Sequence, residues 1–223
     1  MKFKYINILI ILVMVMLIVP SCSKMNDLHQ PYLDEGEIIY AAKVDSVAPG
    51  AGNARIQLQM FIISQRIETV RIFWNDYKDS TDVAVANQTG VKTKILTGMP
   101  EKSYIFQFVS LDKFGHRSLP FETVGKVYGP NFQSTLTNRV IKSQTTLVNG
   151  KITIVWSGTV DKGVRCDLTY TNTANQQVTR KVPMTENTTI LTDVSKEMKY
   201  NTLFLPEPAA IDTFYTAFKP VIL

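Results

Sequence analysis

Two stretches of the sequence, TKILTGMPEKSYIFQF at residues 93–108 and TTILTDVSKEMKYNTLFL at residues 188–205, follow the same pattern. Each has Ile-Leu-Thr at the end of an apolar run, then a turn with acidic and basic residues, and then a tyrosine that opens the next run. The two tyrosines, Tyr104 and Tyr200, are predicted to be tyrosine corners, whose hydroxyls bond back to the preceding connection. The repeat indicates that one folding unit occurs twice in tandem.

Short runs rich in Val, Ile, Thr, Tyr and Phe recur about every ten residues, and Gly, Pro, Asn and Asp separate them. This spacing is typical of an all-β sandwich. Seven runs in the first half are predicted to be strands: 37–47, 54–62, 68–76, 81–86, 92–99, 103–112 and 122–129. Seven short strands are the number found in an immunoglobulin-like or fibronectin type III-like domain.

The predicted fold class is all-β, with two tandem immunoglobulin-like or fibronectin type III-like sandwiches. Residues 96–118 also resemble the fibronectin type III signature, with a leucine, a proline, a tyrosine and a following glycine turn. The Gly-Pro pair in YGPNFQS, residues 128–134, breaks the strand pattern. We therefore place the first sandwich at residues 37–130 and the second at residues 131–223, with Trp156 as a core tryptophan of the second.

The N-terminal segment has the features of a secretory signal peptide. Lys2 and Lys4 precede an apolar run at residues 6–19. This run is shorter than the roughly 20 residues that a membrane-spanning helix needs, and a basic start before a short apolar run is typical of exported proteins.

The end of this segment, VPSC at residues 19–22, fits a bacterial lipoprotein signal. Cleavage is predicted after Ser21, and the thiol of Cys22 is predicted to carry a lipid that anchors the chain to a membrane. An ordinary signal with an incidental cysteine is the alternative. The sequence thus predicts a signal peptide at residues 1–21 and a polar tether at residues 22–36.

Charge and cysteine content exclude two classes of function. The formal charge of +5 falls to +3 when Lys2 and Lys4 leave with the signal peptide, and the remaining basic residues are scattered. A nucleic-acid partner would need a basic stripe, so none is expected. Cys166 has no partner once Cys22 is lipidated, and it is predicted to be a small core residue without a redox role.

Several motifs resemble an uncharacterised family of Bacteroidota lipoproteins, domain of unknown function 4998. These motifs are YLDEGEIIYAAKVDSVAPGAGNARIQL, RIFWND, VYG, TNR and PEPAAIDTF. The resemblance covers nearly the whole chain after the signal peptide. It implies a surface or periplasmic lipoprotein of two β-sandwich domains, often encoded near outer-membrane glycan-uptake systems. The family has no defined catalytic residues that could be carried over.

The sequence contains no recognisable catalytic constellation. His29 and His116 have no metal-ligand partner at a suitable spacing, and the chain has no nucleophile-elbow, Walker or zinc-protease motif. Glu207 and Asp212 could form a carboxylate pair for glycoside hydrolysis, but any chain with 19 acidic residues contains such pairs. No catalytic residue is therefore predicted.

Acidic residues also occur together in NDYKDSTD, residues 75–82. Asp76, Asp79 and Asp82 could offer oxygen ligands to calcium, but the segment lacks the glycine and the spaced glutamate of an EF-hand. We predict no metal site and no cofactor.

Aromatic residues outside the alternating core are candidates for ligand contact. Tyr77 and Phe114 lie in predicted loops, where binding residues concentrate, and they are the predicted contact residues. Tyr128 and Phe132 flank the break between the two halves, and they are expected to pack the two sandwiches together.

Two short motifs, Asp-Ser-Val and Asp-Ser-Thr, fit the O-glycosylation signal of some exported Bacteroidota proteins. Ser46 and Ser80 are the predicted acceptors. Burial of either serine would weaken this prediction.

The sequence predicts a non-enzymatic protein at the outer membrane, held by its lipid anchor and facing the cell surface rather than the periplasm. Its expected role is a binding or spacer module accessory to a surface glycan or nutrient-acquisition system. Its partners would be the membrane and either a glycan or a neighbouring outer-membrane protein. An adhesin-like or structural surface protein is the alternative, and a hydrolase is the third possibility.

Overall fold

The computed structural model describes residues 38–223. Four predicted features lie outside the described residues: the signal peptide at 1–21, the cleavage site Ser21, the lipidation site Cys22 and the tether at 22–36. Ala41–Leu223 forms one compact unit. Between residues 38 and 223, no helix is both long enough and apolar enough to cross a membrane.

The first sandwich consists of seven antiparallel strands in two sheets. They are β1 (Ser46–Ala51), β2 (Arg55–Ile62), β3 (Thr69–Trp74), β4 (Asp79–Ala84), β5 (Gly90–Thr97), β6 (Ser103–Leu111) and β7 (Phe121–Lys126). One sheet has the order β1-β2-β5 and the other has the order β4-β3-β6-β7. Apolar residues alternate with polar ones along these strands, so one face of each strand packs into the core. In β2 the buried residues are Ile56, Leu58, Met60 and Ile62, and the residues between them are more exposed.

The second sandwich repeats this arrangement. Its strands are β8 (Ile141–Gln144), β9 (Ile152–Trp156), β10 (Gly163–Asn172), β11 (Gln177–Pro183), β12 (Thr188–Leu191), β13 (Val194–Phe204), β14 (Phe214–Tyr215) and β15 (Lys219–Val221). One sheet has the order β12-β9-β8. The other sheet has the order β11-β10-β13, and both β14 and β15 pair with β13. These two short strands together take the place of the single last strand, β7, of the first sandwich.

The predicted fold class is confirmed, because each half packs a three-stranded sheet against a larger sheet around its own core. The two repeated stretches occupy the same topological positions, β5–β6 in the first sandwich and β12–β13 in the second. A short helix, α1 (Pro130–Thr135), joins the halves where the sequence predicts only a break.

The first predicted strand is misplaced. The sequence predicts it at residues 37–47, whereas β1 is Ser46–Ala51. The observed strand runs through Pro49, which has no backbone N–H to donate to a ladder. However, β1 pairs with β2 on one side only, and an edge strand tolerates proline.

The two repeated tyrosines bond differently. The hydroxyl of Tyr104 donates to the carbonyl oxygen of Pro100, four residues upstream and 2.9 Å away, which is the geometry of a tyrosine corner. The hydroxyl of Tyr200 instead donates to the carbonyl oxygen of Arg139 at 2.8 Å. The predicted corner does not form at Tyr200 because β13 already begins at Val194, so the preceding connection is out of reach.

Arg139 is the largest fully buried side chain of the described residues. Its guanidinium lies over the ring of Trp156, 5.3 Å from the centroid, where a cation is attracted by the π system. It donates to the carbonyl oxygen of Gly158 at 2.7 Å and to that of Glu186 at 3.1 Å. Trp156 lies in the core of the second sandwich, and its indole donates to the hydroxyl of Thr189. Arg139 thus satisfies backbone oxygens that the sheets leave unpaired.

We expect Arg139→Met to lower the free energy of unfolding of the second sandwich by about 3 kcal/mol, because two part-buried carbonyl oxygens lose a charged donor and the packing of the buried guanidinium on Trp156 is lost. Urea denaturation of the full chain, followed by the fluorescence of Trp156 in a Trp74→Phe background, measures this change. The matched control is Arg71→Met, since Arg71 forms an exposed pair with Asp82 and its loss should cost little. Equal effects of the two substitutions would contradict a special role for Arg139.

Candidate functional site

Tyr77, a predicted ligand contact, lies at the tip of the β3–β4 hairpin. The three consecutive residues Asn75, Asp76 and Tyr77 have φ values of 51°, 54° and 63°, in the left-handed region that non-glycine residues rarely adopt. The Tyr77 ring is 56% exposed and lies 5.1 Å from the ring of Phe73. The hairpin therefore presents an aromatic side chain at the end of the sheet where β6 begins.

Phe114, the other predicted contact, lies in the β6–β7 turn and is 71% exposed. The carboxylate of Asp112 holds this turn, since it accepts bonds from the backbone amides of Phe114 and His116 and lies 2.8 Å from Nδ1 of His116. These contacts make His116 part of the turn that Asp112 holds.

Tyr77 and Phe114 do not form one site. In the pairing of β3 with β6, Thr69 faces Leu111 and Phe73 faces Gln107. Tyr77 follows the end of β3 and Phe114 follows the end of β6. Because the two strands are antiparallel, these turns lie at opposite ends of the sheet.

The predicted glycosylation sites differ in exposure. Ser80 is exposed on the edge strand β4, whereas Ser46 is half-buried at the start of β1, where its hydroxyl lies 3.3 Å from a carboxylate oxygen of Asp45. Glycosylation stays a prediction at both, and Ser80 is the more accessible acceptor.

Two of the three acidic residues at 75–82, Asp79 and Asp82, accept hydrogen bonds from protein donors. Asp79 accepts a bond from the side-chain amide of Asn75 at 2.6 Å, and Asp82 accepts two bonds from Arg71 at 2.7 and 2.8 Å. Across residues 38–223, no group of three or more His, Cys, Asp or Glu side chains could hold a metal ion.

Asp212, one of the two acidic residues considered for a carboxylate pair, joins the two sandwiches, and we call the region of contact between them the junction. It lies in residues 205–213, the connection between β13 and β14, and this connection reaches the first sandwich. One carboxylate oxygen accepts the backbone amide of Asn53 and Nε of Arg55, both at 2.8 Å, and the other oxygen accepts Nη2 of Arg55 at 2.5 Å. A Cβ at Gly52 would lie 2.6 Å from this carboxylate, so a glycine is needed there.

Glu207, the other member of that pair, and Glu101 bind across the same junction. The hydroxyl of Tyr128 donates to Glu207 at 2.8 Å. The carboxylate of Glu101 accepts the backbone amides of Asn131 and Phe132, each at 2.8 Å, at the start of α1. Glu207 and Asp212, which could form a carboxylate pair by residue type alone, both bind junction groups. They are therefore not free to act together as an acid and a base.

Three aromatic rings fill the space between these polar contacts. Tyr128 and Phe132 lie 4.7 Å apart, and Phe132 and Phe214 lie 5.1 Å apart, both edge to face. Together with the buried Ala51 they form a small third core. Tyr128 and Phe132 thus pack the two sandwiches together, as the sequence predicts.

The junction shifts the ionisation of its polar groups. Hydrogen bonds from Arg55, aided by the Asn53 amide and the guanidinium charge, hold the pKa of Asp212 below its ordinary value although burial opposes this. Burial, together with the bond to Glu207, raises the pKa of Tyr128 to about 12. At neutral pH, Asp212 is therefore ionised and Tyr128 keeps the proton that it donates.

The lowered pKa predicts an acid-sensitive junction. A carboxylate whose pKa falls on folding contributes stability that is complete above its unfolded pKa of about 4 and is lost as the pH falls through the folded value. We expect Asp212→Asn to lower the free energy of unfolding by about 2 kcal/mol near neutral pH, since charge-assisted bonds are weakened. The difference from wild type should shrink below about pH 4.

Urea denaturation followed by circular dichroism, at several pH values, measures this difference. Asp82→Asn is the matched control, because Asp82 pairs with an arginine on the exposed outer face, and we expect a change within about 1 kcal/mol. A pH-independent difference for Asp212→Asn would contradict the prediction.

No curated protein matches the chain in sequence. Three similar solved structures are the FN1–FN3 domains of chicken CNTN1, the segment of two fibronectin type III domains from chicken tenascin, and the fibronectin(III)-like modules of Clostridium thermocellum CbhA. Their sequence identities are 13%, 12% and 14%, and their TM-scores are 0.46, 0.33 and 0.38.

The aligned region covers 82%, 82% and 79% of this chain and 64%, 99% and 90% of the respective structures. The chain thus spans less than two thirds of the CNTN1 structure. The family model DUF4998, a domain of unknown function, matches residues 22–214. This chain therefore belongs to the DUF4998 family.

Proposed function

We propose that this protein is an exported, lipid-anchored, non-enzymatic module whose two sandwiches act as one rigid arm, accessory to a surface glycan or nutrient-acquisition system. The junction is the observation that carries this proposal. Tandem domains joined by a flexible linker are expected to move relative to each other. Here the linking helix and a long connection of the second sandwich both bind the first sandwich, through hydrogen bonds to carboxylates and through a small buried aromatic core.

Charged contacts give the junction a defined orientation as well as stability. The bidentate pair of Arg55 and Asp212 has a fixed planar geometry. Glu101 fixes the direction of α1 by binding two successive backbone amides. The aromatic core between them resists sliding because its rings interdigitate.

The non-enzymatic role is supported by the use of Glu207 and Asp212 as junction groups. The same acidic residues that could suggest glycoside hydrolysis accept bonds from Tyr128 and Arg55. A retaining or inverting hydrolase needs two carboxyl groups free to face a substrate.

The anchored arm has a preferred order along its length. The backbone amide of Ala41, the first residue of the compact unit, donates to the carbonyl oxygen of Arg117 in the β6–β7 turn. The chain therefore enters the first sandwich at the end that carries Phe114, and the junction is at the opposite end. In this proposal the second sandwich is held farther from the membrane than the first.

Rigidity can be tested by measuring distances between spin labels on Ser80→Cys and Lys181→Cys, one on each sandwich, in the full chain in lipid nanodiscs. We expect a single narrow distance distribution that broadens in Arg55→Ala and Asp212→Asn, because both lose the bidentate pair. The control Asp82→Asn removes a pair within the first sandwich and should leave the distribution narrow. A broad distribution in the wild type would overturn the rigid arm.

Anchoring and orientation can be tested with Cys22→Ala in a Bacteroidota host, with Cys166→Ala as the control because Cys166 is buried in the core. We expect only Cys22→Ala to change processing and membrane attachment, since only Cys22 follows the signal peptide. Protease added to intact cells should cleave the wild type. Protection of a membrane-bound wild type would place it on the periplasmic face and would exclude both the surface-uptake and the adhesin-like roles.

A further inference from the structure

The second sandwich has a groove of about 510 Å³ on the outer face of its larger sheet. Thr169 and Thr171 of the central strand β10 line its floor, and Gln177 of β11 lines one side. The other side is lined by Glu197, Met198 and Lys199 of β13, by Pro220 and Val221 of β15, and by Leu223, so four of the nine lining residues are apolar. This size is within the range of small-molecule sites.

The polar groups of this groove are available to a ligand. Within residues 38–223, the side chains of Thr171, Gln177 and Glu197 make no hydrogen bond or ion pair. Thr169 shares one bond, with the hydroxyl of Thr179 at 3.1 Å.

The equivalent face of the first sandwich is different. There Arg71 pairs with Asp82, and the side-chain amide of Gln107 donates to Glu122, so these polar groups satisfy one another. The two sandwiches repeat the same strands. In the second, Arg165 pairs with Asp167 and Thr169 bonds to Thr179 on this face. Thr171, Gln177 and Glu197, which line the groove, are left without such a partner among residues 38–223.

A β-bulge positions Glu197 at the groove. Tyr170 faces Met198 and Thr171 faces Lys196, so Glu197 is the extra residue in β13. Its φ of 50° is unusual for a residue other than glycine, asparagine or aspartate. Bulges re-aim side chains and are frequent next to binding sites.

The chemistry of the lining favours an uncharged ligand with many hydroxyl groups. The charged side chains that line the groove are Glu197 and Lys199, and their opposite charges cancel. The lining side chains therefore favour neither an anionic nor a cationic ligand. Hydroxyl, amide, carboxylate and ammonium groups together both donate and accept hydrogen bonds, which suits hydroxyls that do the same. Met198, Pro220, Val221 and Leu223 add an apolar surface, which suits the C–H face of a sugar ring.

Lys199 is held in place at the edge of the groove. Its ammonium lies 4.7 Å from the centroid of the half-exposed Phe218 ring, which limits its movement. A donor in a fixed position loses less conformational entropy when a ligand binds.

We propose that this groove binds a neutral oligosaccharide, with Thr171, Gln177 and Glu197 as its hydrogen-bonding residues. The inference rests on the proposed binding role and gives that role a site. It places the site on the second sandwich, the part of the arm held away from the anchor, and on neither of the loops that carry Tyr77 and Phe114.

The test is isothermal titration calorimetry of the full chain in detergent micelles with maltohexaose, cellohexaose, xylohexaose and mannohexaose. We expect at least one of these oligosaccharides to bind. Thr171→Val and Gln177→Leu should each weaken that binding about tenfold, the effect of one lost hydrogen bond. Thr93→Val is the matched control, because Thr93 is an exposed strand threonine of the first sandwich, and it should leave binding unchanged.

Three outcomes would overturn the site. These are no binding of any of the four oligosaccharides, binding that the groove substitutions leave unchanged, and binding that Thr93→Val weakens equally. Thermal unfolding of each variant shows whether a loss of binding comes from a loss of folding. Spin-label distances do not depend on a ligand, so a failed groove with a narrow distance distribution leaves the rigid arm intact.

Discussion

The arrangement of the two sandwiches depends on the hydrogen bonds that the carboxylate of Asp212 accepts. It binds a backbone amide and a guanidinium of the first sandwich at the same time. The close approach of Gly52 to this carboxylate is possible only without a side chain. Because the acid comes from a connection within the second sandwich, the pair brings that connection onto the first sandwich and encloses the aromatic core of Tyr128, Phe132 and Phe214.

The two sandwiches share a fold but divide their roles. On the outer face of the first sandwich, polar side chains pair with one another, as Arg71 does with Asp82. The first sandwich also provides Arg55, which binds Asp212 at the junction. The second stabilises its interior with a buried arginine over a tryptophan and splits its last strand position into β14 and β15. Such differences within one topology are expected, because a sandwich supports many functions through its surfaces rather than its core.

The role of several residues cannot be inferred from their type, because it depends on partners that are distant in the sequence. Glu207 and Asp212 have the spacing of many acidic pairs, yet they bind Tyr128 and Arg55, and Arg55 is 157 residues away from Asp212. Tyr104 and Tyr200 occupy matching positions of the repeat, but a longer β13 moves the partner of Tyr200 to Arg139. No feature of the local pattern around Arg139 distinguishes this buried arginine from a surface one.

The sequence by itself determined the all-β class, the tandem repeat and six of the seven strands of the first sandwich. Alternation and turn residues are local, and they report directly which side of a strand meets the core. Only the tertiary structure decided the junction, the separation of Tyr77 from Phe114, and the groove over β10. Each of these depends on which distant strands become neighbours. Hydrophobic periodicity shows which face of a strand is buried, but it does not show which distant strand is its partner.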